Sequence, residues 1–196
     1  MTDRAVYKKT AKIFPGKKPP SLPFMRYDIF PTPVWHIEDA PQQLVDELYQ
    51  GAYKFKEIYA SVTRSNEGGY QTPPLEWKDF HPQGREYIEN SVSECMDRNY
   101  KVEEWWYNIN GKGNWNTPHS HAGSDFALVF YVTDSDGLLR FMNPNNMRRT
   151  EEEKDFAHMN AKKGDIIIFP SDLQHYVLPN EREEDRISIS MNLQLC

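Results

Sequence analysis

The sequence predicts a mainly β protein of the α+β kind, in which a helical layer from the N-terminal half packs against a β-sandwich or small barrel. Two observations predict it. Across roughly residues 41–99 apolar side chains recur at intervals of three and four, the spacing of an amphipathic helix. Beyond residue 100 the chain becomes a series of short β-branched and aromatic runs separated by turn residues. With 196 residues, 38% of them hydrophobic and 27% charged, there is material for one domain with a sizeable core.

The elements follow in order. Residues 1–24 are basic and punctuated by Pro15, Pro19, Pro20 and Pro23, which predicts an extended or poorly ordered arm ahead of a single domain over 25–196. The cluster "YKKTAKIFPGKKPP" reads either as a solvated tail or as a phosphate-seeking arm. "DIFPTPVWHI" reads as a strand broken at Pro31 and Pro33. From Pro41, which suits a first helical turn, Leu44, Val45, Leu48, Ala52, Phe55 and Tyr59 mark one helix face. After the loop "SVTRSNEGGYQTPP", a second helix is expected over "GREYIENSVSECMDRNY", with Tyr87, Ile88, Val92, Cys95 and Met96 on one side. The strand candidates are then "YKVEEWWYNIN", "DFALVFYV", "GLLRFMN", "GDIIIFPS", "LQHYVL" and "RISISMNLQL". The polar stretch "NPNNMRRTEEEKDFAHMNAKK" reads as a loop, either an exposed insertion or a lid.

Composition narrows the function. A net charge of −6 argues against a general affinity for nucleic acid or an anionic membrane surface. No apolar stretch approaches the roughly 20 residues that span a bilayer, and the N-terminus lacks the apolar core of a secretory signal, so a cytoplasmic protein is expected. Cys95 and Cys196 are unclustered and are expected to stay reduced.

The chemistry concentrates in "TPHSHAGSDFALVFYV". On an extended chain His119 and His121 point the same way, because side chains alternate at period two. His175, in another short strand, can add a third donor to make a facial set. His36, His81 and His158 stand alone and are read as structural. "RISISMNL" alternates cleanly: Ile187, Ile189, Met191 and Leu193 take one face, while Arg186, Ser188, Ser190 and Asn192 take the other. That polar face either meets water or grips an anion, for an arginine fork and a hydroxyl two residues on can hold one carboxylate. Trp105, Trp106, Trp115 and Tyr131 either line a cavity or fill a core.

These residues resemble the iron(II)/2-oxoglutarate-dependent oxygenase superfamily. His119-Ser-His121, His175, ten residues, then Arg186-Ile-Ser188 is similar to its His-x-Asp…His-x10-Arg-x-Ser pattern. "SNEGGYQ", "ALVFYV", "GDIIIFPS" and "RISISMN" resemble a group of short oxygenases within it, over roughly residues 61–195. The resemblance implies a double-stranded β-helix (jelly-roll/cupin-like) with a helical layer, helices about 41–99 and the β-helix about 100–195. It implies Fe(II) and 2-oxoglutarate as cofactors, and hydroxylation of an unidentified substrate, a small molecule or a protein side chain, with release of succinate and CO2. Carried over, His119 and His175 would be metal ligands, Arg186 and Ser188 would hold the distal carboxylate of 2-oxoglutarate, and Asn108 would contact the cosubstrate.

The departure is His121, where the superfamily usually has Asp or Glu. Imidazole binds iron(II) well, so a three-histidine face is chemically reasonable, with Asp125 the alternative third ligand. Two other readings stay open: a cupin-type metalloenzyme using Gly113-x5-His119-x-His121-x3-Asp125 with His175 and no 2-oxoglutarate, and a non-catalytic barrel that only binds. Jelly-roll edge strands also leave a homo-oligomer open. The paired glycines of "RSNEGGYQT" suit either a substrate-facing loop or a tight turn.

Overall fold

A computed structural model describes residues 31–96, 98–135, 138–144 and 156–196. The basic arm expected over residues 1–24 lies outside them, as does the centre of the polar stretch after Met142. No described helix is long and apolar enough to cross a membrane.

Helix α1 (Gln42–Ile58) and helix α2 (Pro82–Cys95) form where the periodicity placed them. Pro41 is the residue just before α1 rather than inside its first turn, and Leu44, Val45, Leu48 and Ala52 are buried. α2 starts earlier than expected because Pro82 supplies a helical φ at its first position and the His81 ring accepts a hydrogen bond from the Gly84 N–H (3.3 Å). It also stops earlier: Met96 is already extended (φ −113°, ψ 139°), turning the chain toward the next strand.

Two antiparallel sheets face each other. The larger is built from β1 (Trp35–Ile37), β10 (Ile166–Pro170), β7 (Phe126–Tyr131), β12 (Arg186–Leu195), β5 (Tyr100–Asn110) and β3 (Tyr70–Gln71) in that order, with β4 (Leu75–Glu76) also on β5. The smaller runs β2 (Asn66–Glu67), β6 (Trp115–His119), β11 (His175–Val177), β8 (Leu139–Met142) and β9 (Phe156–Met159). This is the double-stranded β-helix, jelly-roll arrangement, with the helices on the outer face of the larger sheet.

The alternation along each strand decides which layer a residue joins. Leu128 and Phe130, Ile166 and Ile168, and Ile187, Ile189, Met191 and Leu193 share one core with Leu44, Val45 and Leu48 of α1 and Ile88 and Val92 of α2. Ala127, Val129 and Tyr131, with Ile167 and Phe169, face the other way, into the barrel, where they meet Leu139, Phe141 and Leu173. The polar face of β12 therefore turns away from the outer surface. It points into the barrel.

Short pairing segments escaped the sequence reading. β2 and β3 arise inside the region read as a loop between the helices, β4 just after it, and β9 inside the polar stretch read as a loop. Phe156, Ala157 and His158 on β9 are exposed and carry no apolar alternation, so pairing with β8 makes the strand, not burial.

Leu48 joins α1 to the sheet twice, through its 2%-exposed side chain and through its carbonyl, which accepts the Tyr107 hydroxyl (3.0 Å). Leu48→Ala is expected to cost about 2–5 kcal/mol, read as a lowered denaturant midpoint with an unchanged m-value.

Candidate metal centre

His119 closes β6 and His175 opens β11, and the two are direct partners in the ladder. His121 is not on the strand. It lies two residues past β6, where its N–H donates to the Ser171 carbonyl (2.8 Å). The period-two argument thus gives way to a turn that folds His121 back over the sheet end. Each of the three rings offers a nitrogen, and these atoms lie within 4.8 Å of one another.

Each ring is oriented from behind. The Nδ1 of His119 lies 2.7 Å from the Thr117 carbonyl, that of His175 2.9 Å from the Leu173 carbonyl, and that of His121 2.7 Å from the Asn192 side-chain oxygen. An oxygen that only accepts requires Nδ1 to carry the hydrogen, which leaves the Nε2 lone pair of each ring available. The Ser65 hydroxyl approaches His119 Nε2 (3.4 Å), and Trp106 stacks on the His121 ring with centroids 5.5 Å apart. Burial pushes all three histidines below the ordinary imidazole range. His175, only 3% exposed and beside His119, is driven to about 3. Neutral imidazoles with converging lone pairs are what a transition metal requires.

The cluster opens into a cavity of about 560 Å³ that Arg186, Ser188, Ser190 and Asn192 line from β12, and Glu104, Trp106, Asn108 and Asn110 from β5. Arg186 is 5% exposed, and burial lowers its guanidinium to about 10, still charged at neutral pH. Its Nη1 donates to the Leu178 carbonyl (2.9 Å), whereas its Nη2 is buried without a hydrogen-bond partner. The side-chain oxygens of Asn108 and Asn110 are also buried and unpartnered, although Asn108 Nδ2 donates to Ser190 Oγ (3.0 Å) and Asn110 Nδ2 to Asn116 Oδ1 (3.2 Å). Orphaned buried polar atoms are costly, so their concentration in one cavity marks a place built for a polar ligand. A fixed arginine with a free N–H edge suits a carboxylate.

The structure thus brings together His119, His121, His175, Arg186, Ser188 and Asn108 around one cavity. Asp125 stands apart: it is exposed, and its Oδ2 accepts the Leu195 N–H (2.6 Å). Tyr131 lines the cavity, whereas Trp115 is 36% exposed on the outer surface. His36 pairs with Asp165 (2.8 Å), and His81 with Glu47 (3.0 Å). From "RSNEGGYQT", Arg64, Ser65 and Gln71 reach the cavity, and the segment is a tight turn as well, with Gly68 at φ +73°. Gly69 must be glycine for a second reason, since a Cβ there would overlap the Asn110 amide oxygen. Sequence reasoning missed Glu104 and Asn110, though they alternate with Asn108 on the polar face of β5.

Comparison with known proteins supplies three findings. The family model described as "Putative 2OG-Fe(II) oxygenase" matches residues 104–192, the span from Glu104 through Asn192. No curated protein matches the chain. Among solved structures, HygX from Streptomyces hygroscopicus with nickel and 2-oxoglutarate bound superposes with a TM-score of 0.60 at 12% identity, covering 84% of this chain and 83% of that one. The carbocyclase SnoK from nogalamycin biosynthesis gives 0.64 at 10% identity over 83% and 79% of the two chains. A Pseudomonas putida prolyl-4-hydroxylase gives 0.56 at 13%, over 84% and 94%. At such identities the likeness speaks to the fold.

The buried histidines carry a pH signature. Their folded pKa values lie below the unfolded value of about 6.5, so the unfolded chain binds protons first as the pH falls. The stability they permit is complete above about pH 6.5 and is lost as the pH drops toward the folded values, about 3 for His175. Denaturant midpoints of the metal-free chain should therefore fall between neutral pH and pH 5, and His175→Leu should flatten that fall by up to about 1.4 kcal/mol per pH unit.

Proposed function

We propose that the chain is a member of the 2OG-Fe(II) oxygenase superfamily, whose family model matches residues 104–192, that His119, His121 and His175 hold the iron(II), and that Arg186 holds the far carboxylate of 2-oxoglutarate. The reaction is an oxygenation dependent on both, which we read as hydroxylation of a C–H bond with release of succinate and CO2. One observation carries the residue assignment: three lone pairs converge at one part of a cavity whose wall also presents a buried, half-satisfied arginine.

The donor set fits the group. His119, His121 and His175 would hold iron(II), which would supply the oxygen-activating chemistry that no side chain can. The chain's own residues do the rest. Carbonyls of Thr117 and Leu173 and the amide of Asn192 keep the imidazoles neutral and aimed. Arg186 Nη2 has no other hydrogen-bond partner and so can pair with a carboxylate, Ser188 stands two residues along the same face to add a hydroxyl, and Asn108 lines the same cavity. Val129, Tyr131 and Leu139 give part of the cavity wall an apolar lining, which would limit water there once a ligand fills it.

Arg64, Pro74 and Ala122 are exposed members of the cavity lining, and in this reading they mark the side from which the substrate enters. In this reading it is a small molecule or a side chain presented by a protein. HygX, solved with hygromycin B, and a prolyl hydroxylase from Trichoplax adhaerens, solved with a peptide fragment, are structurally similar proteins of each kind.

Anaerobic addition of iron(II) and then 2-oxoglutarate to the metal-free chain is expected to produce a weak visible charge-transfer band that neither gives alone. Arg186→Ala should weaken 2-oxoglutarate binding while iron binding persists. His121→Ala should lose iron, and Asp125→Ala should keep it. Iron retention by His121→Ala together with its loss in Asp125→Ala would move the third ligand. Iron binding without any band would favour a cupin-type centre that does not use 2-oxoglutarate.

A further inference from the structure

The two ends of an asparagine side chain are alike in shape, so something must decide which end faces His121. Asn192 is 9% exposed and bridges two groups: Oδ1 lies 2.7 Å from His121 Nδ1, and Nδ2 donates to Glu104 Oε1 at 2.7 Å. A carboxylate only accepts hydrogen bonds, so Glu104 claims the NH2 end and turns the oxygen toward His121. That oxygen also only accepts, so His121 must carry its hydrogen on Nδ1 and keep the Nε2 lone pair toward His119 and His175. With Asn192 reversed, the NH2 would donate to Nδ1, the ring hydrogen would move to Nε2, and the cluster would lose a donor.

His119 and His175 need no such device. Their Nδ1 atoms rest on backbone carbonyls, which cannot flip. Only His121, which lies beyond the end of β6, depends on a side chain for its tautomer. Resting on the assignment of His121 as a ligand, we infer that Glu104 is a positioning residue of the metal site, which acts through Asn192 to hold His121 in its metal-binding tautomer. The same arrangement places a carboxylate two hydrogen bonds behind a ligand set that itself carries no negative charge.

The test begins with the full, metal-free chain carrying ¹⁵N-labelled histidine, at mildly alkaline pH, where NMR couplings report the tautomer of each ring. The wild type is expected to show His121 with its hydrogen on Nδ1. In Glu104→Gln the new amide can donate as well as accept, so Asn192 is released. An Nε2–H population should then appear at His121 alone, and nickel(II) affinity should fall 10–100-fold. Adding Asn192→Asp to that variant should restore both, because a carboxylate beside Nδ1 again only accepts.

A wild-type His121 protonated on Nε2 overturns the inference without recourse to any variant. So does a folded Glu104→Gln with unchanged tautomer and unchanged nickel affinity. A wild-type chain that takes up no nickel overturns instead the metal reading beneath it, so the two failures are separable.

Discussion

The pairing of β12 between β5 and β7 is the constraint on which everything else depends. Both faces of this strand are covered, and they do opposite work. Ile187, Ile189, Met191 and Leu193 seal the sheet against the helices, while Arg186, Ser188, Ser190 and Asn192 line the cavity. The register sets Arg186 opposite Asn110 and Ser188 opposite Asn108 on one side, and Ser188 opposite Tyr131 on the other. A slip of one residue would drive the arginine into the apolar core and the isoleucines into the cavity, so packing and function enforce the same register.

That division explains how a small barrel carries so many buried polar groups. Asn66, Gln71, Asn108, Asn110, Asn116, Ser190, Asn192 and Arg186 are all buried. Several satisfy one another, as Asn116 does with Ser65 (3.2 Å) and Asn180 with the Asn110 carbonyl (2.9 Å). Three atoms left over belong to residues that line the cavity: Arg186 Nη2, Asn108 Oδ1 and Asn110 Oδ1. Apolar packing on the helix side supplies stability that lets the inner face keep this unsatisfied, reactive character.

Electrostatics follow from the third histidine. A carboxylate at that position would offset part of a metal dication, whereas three imidazoles offer donors and no charge. In the proposed reading a dianionic cosubstrate would balance the dication, and the positive charge of Arg186 would favour the dianion further. Glu104 lies behind Asn192, close enough to orient the site yet outside the donor set. The cavity thus sets a buried guanidinium in the same wall as three imidazoles that carry no charge near neutral pH.

The sequence by itself determined the helical faces, the long strands and the opposed faces of "RISISMNL", because these are periodic and periodicity is local. Its motif spacing also marked His119, His121, His175, Arg186, Ser188 and Asn108, all of which reach one cavity. Only the tertiary structure decided the rest. β2, β3, β4 and β9 exist through pairing with partners distant in the chain, and two-residue segments are too short to show a period. His121 reaches the cluster by a turn held to Ser171, not by alternation along a strand. Asp125 and His121 stand four residues apart, and what separates their roles is that one meets Leu195 and the other Asn192. Hydrogen bonds across some 70 residues of chain leave no trace in local pattern, since they depend on where two strands cross rather than on what either contains.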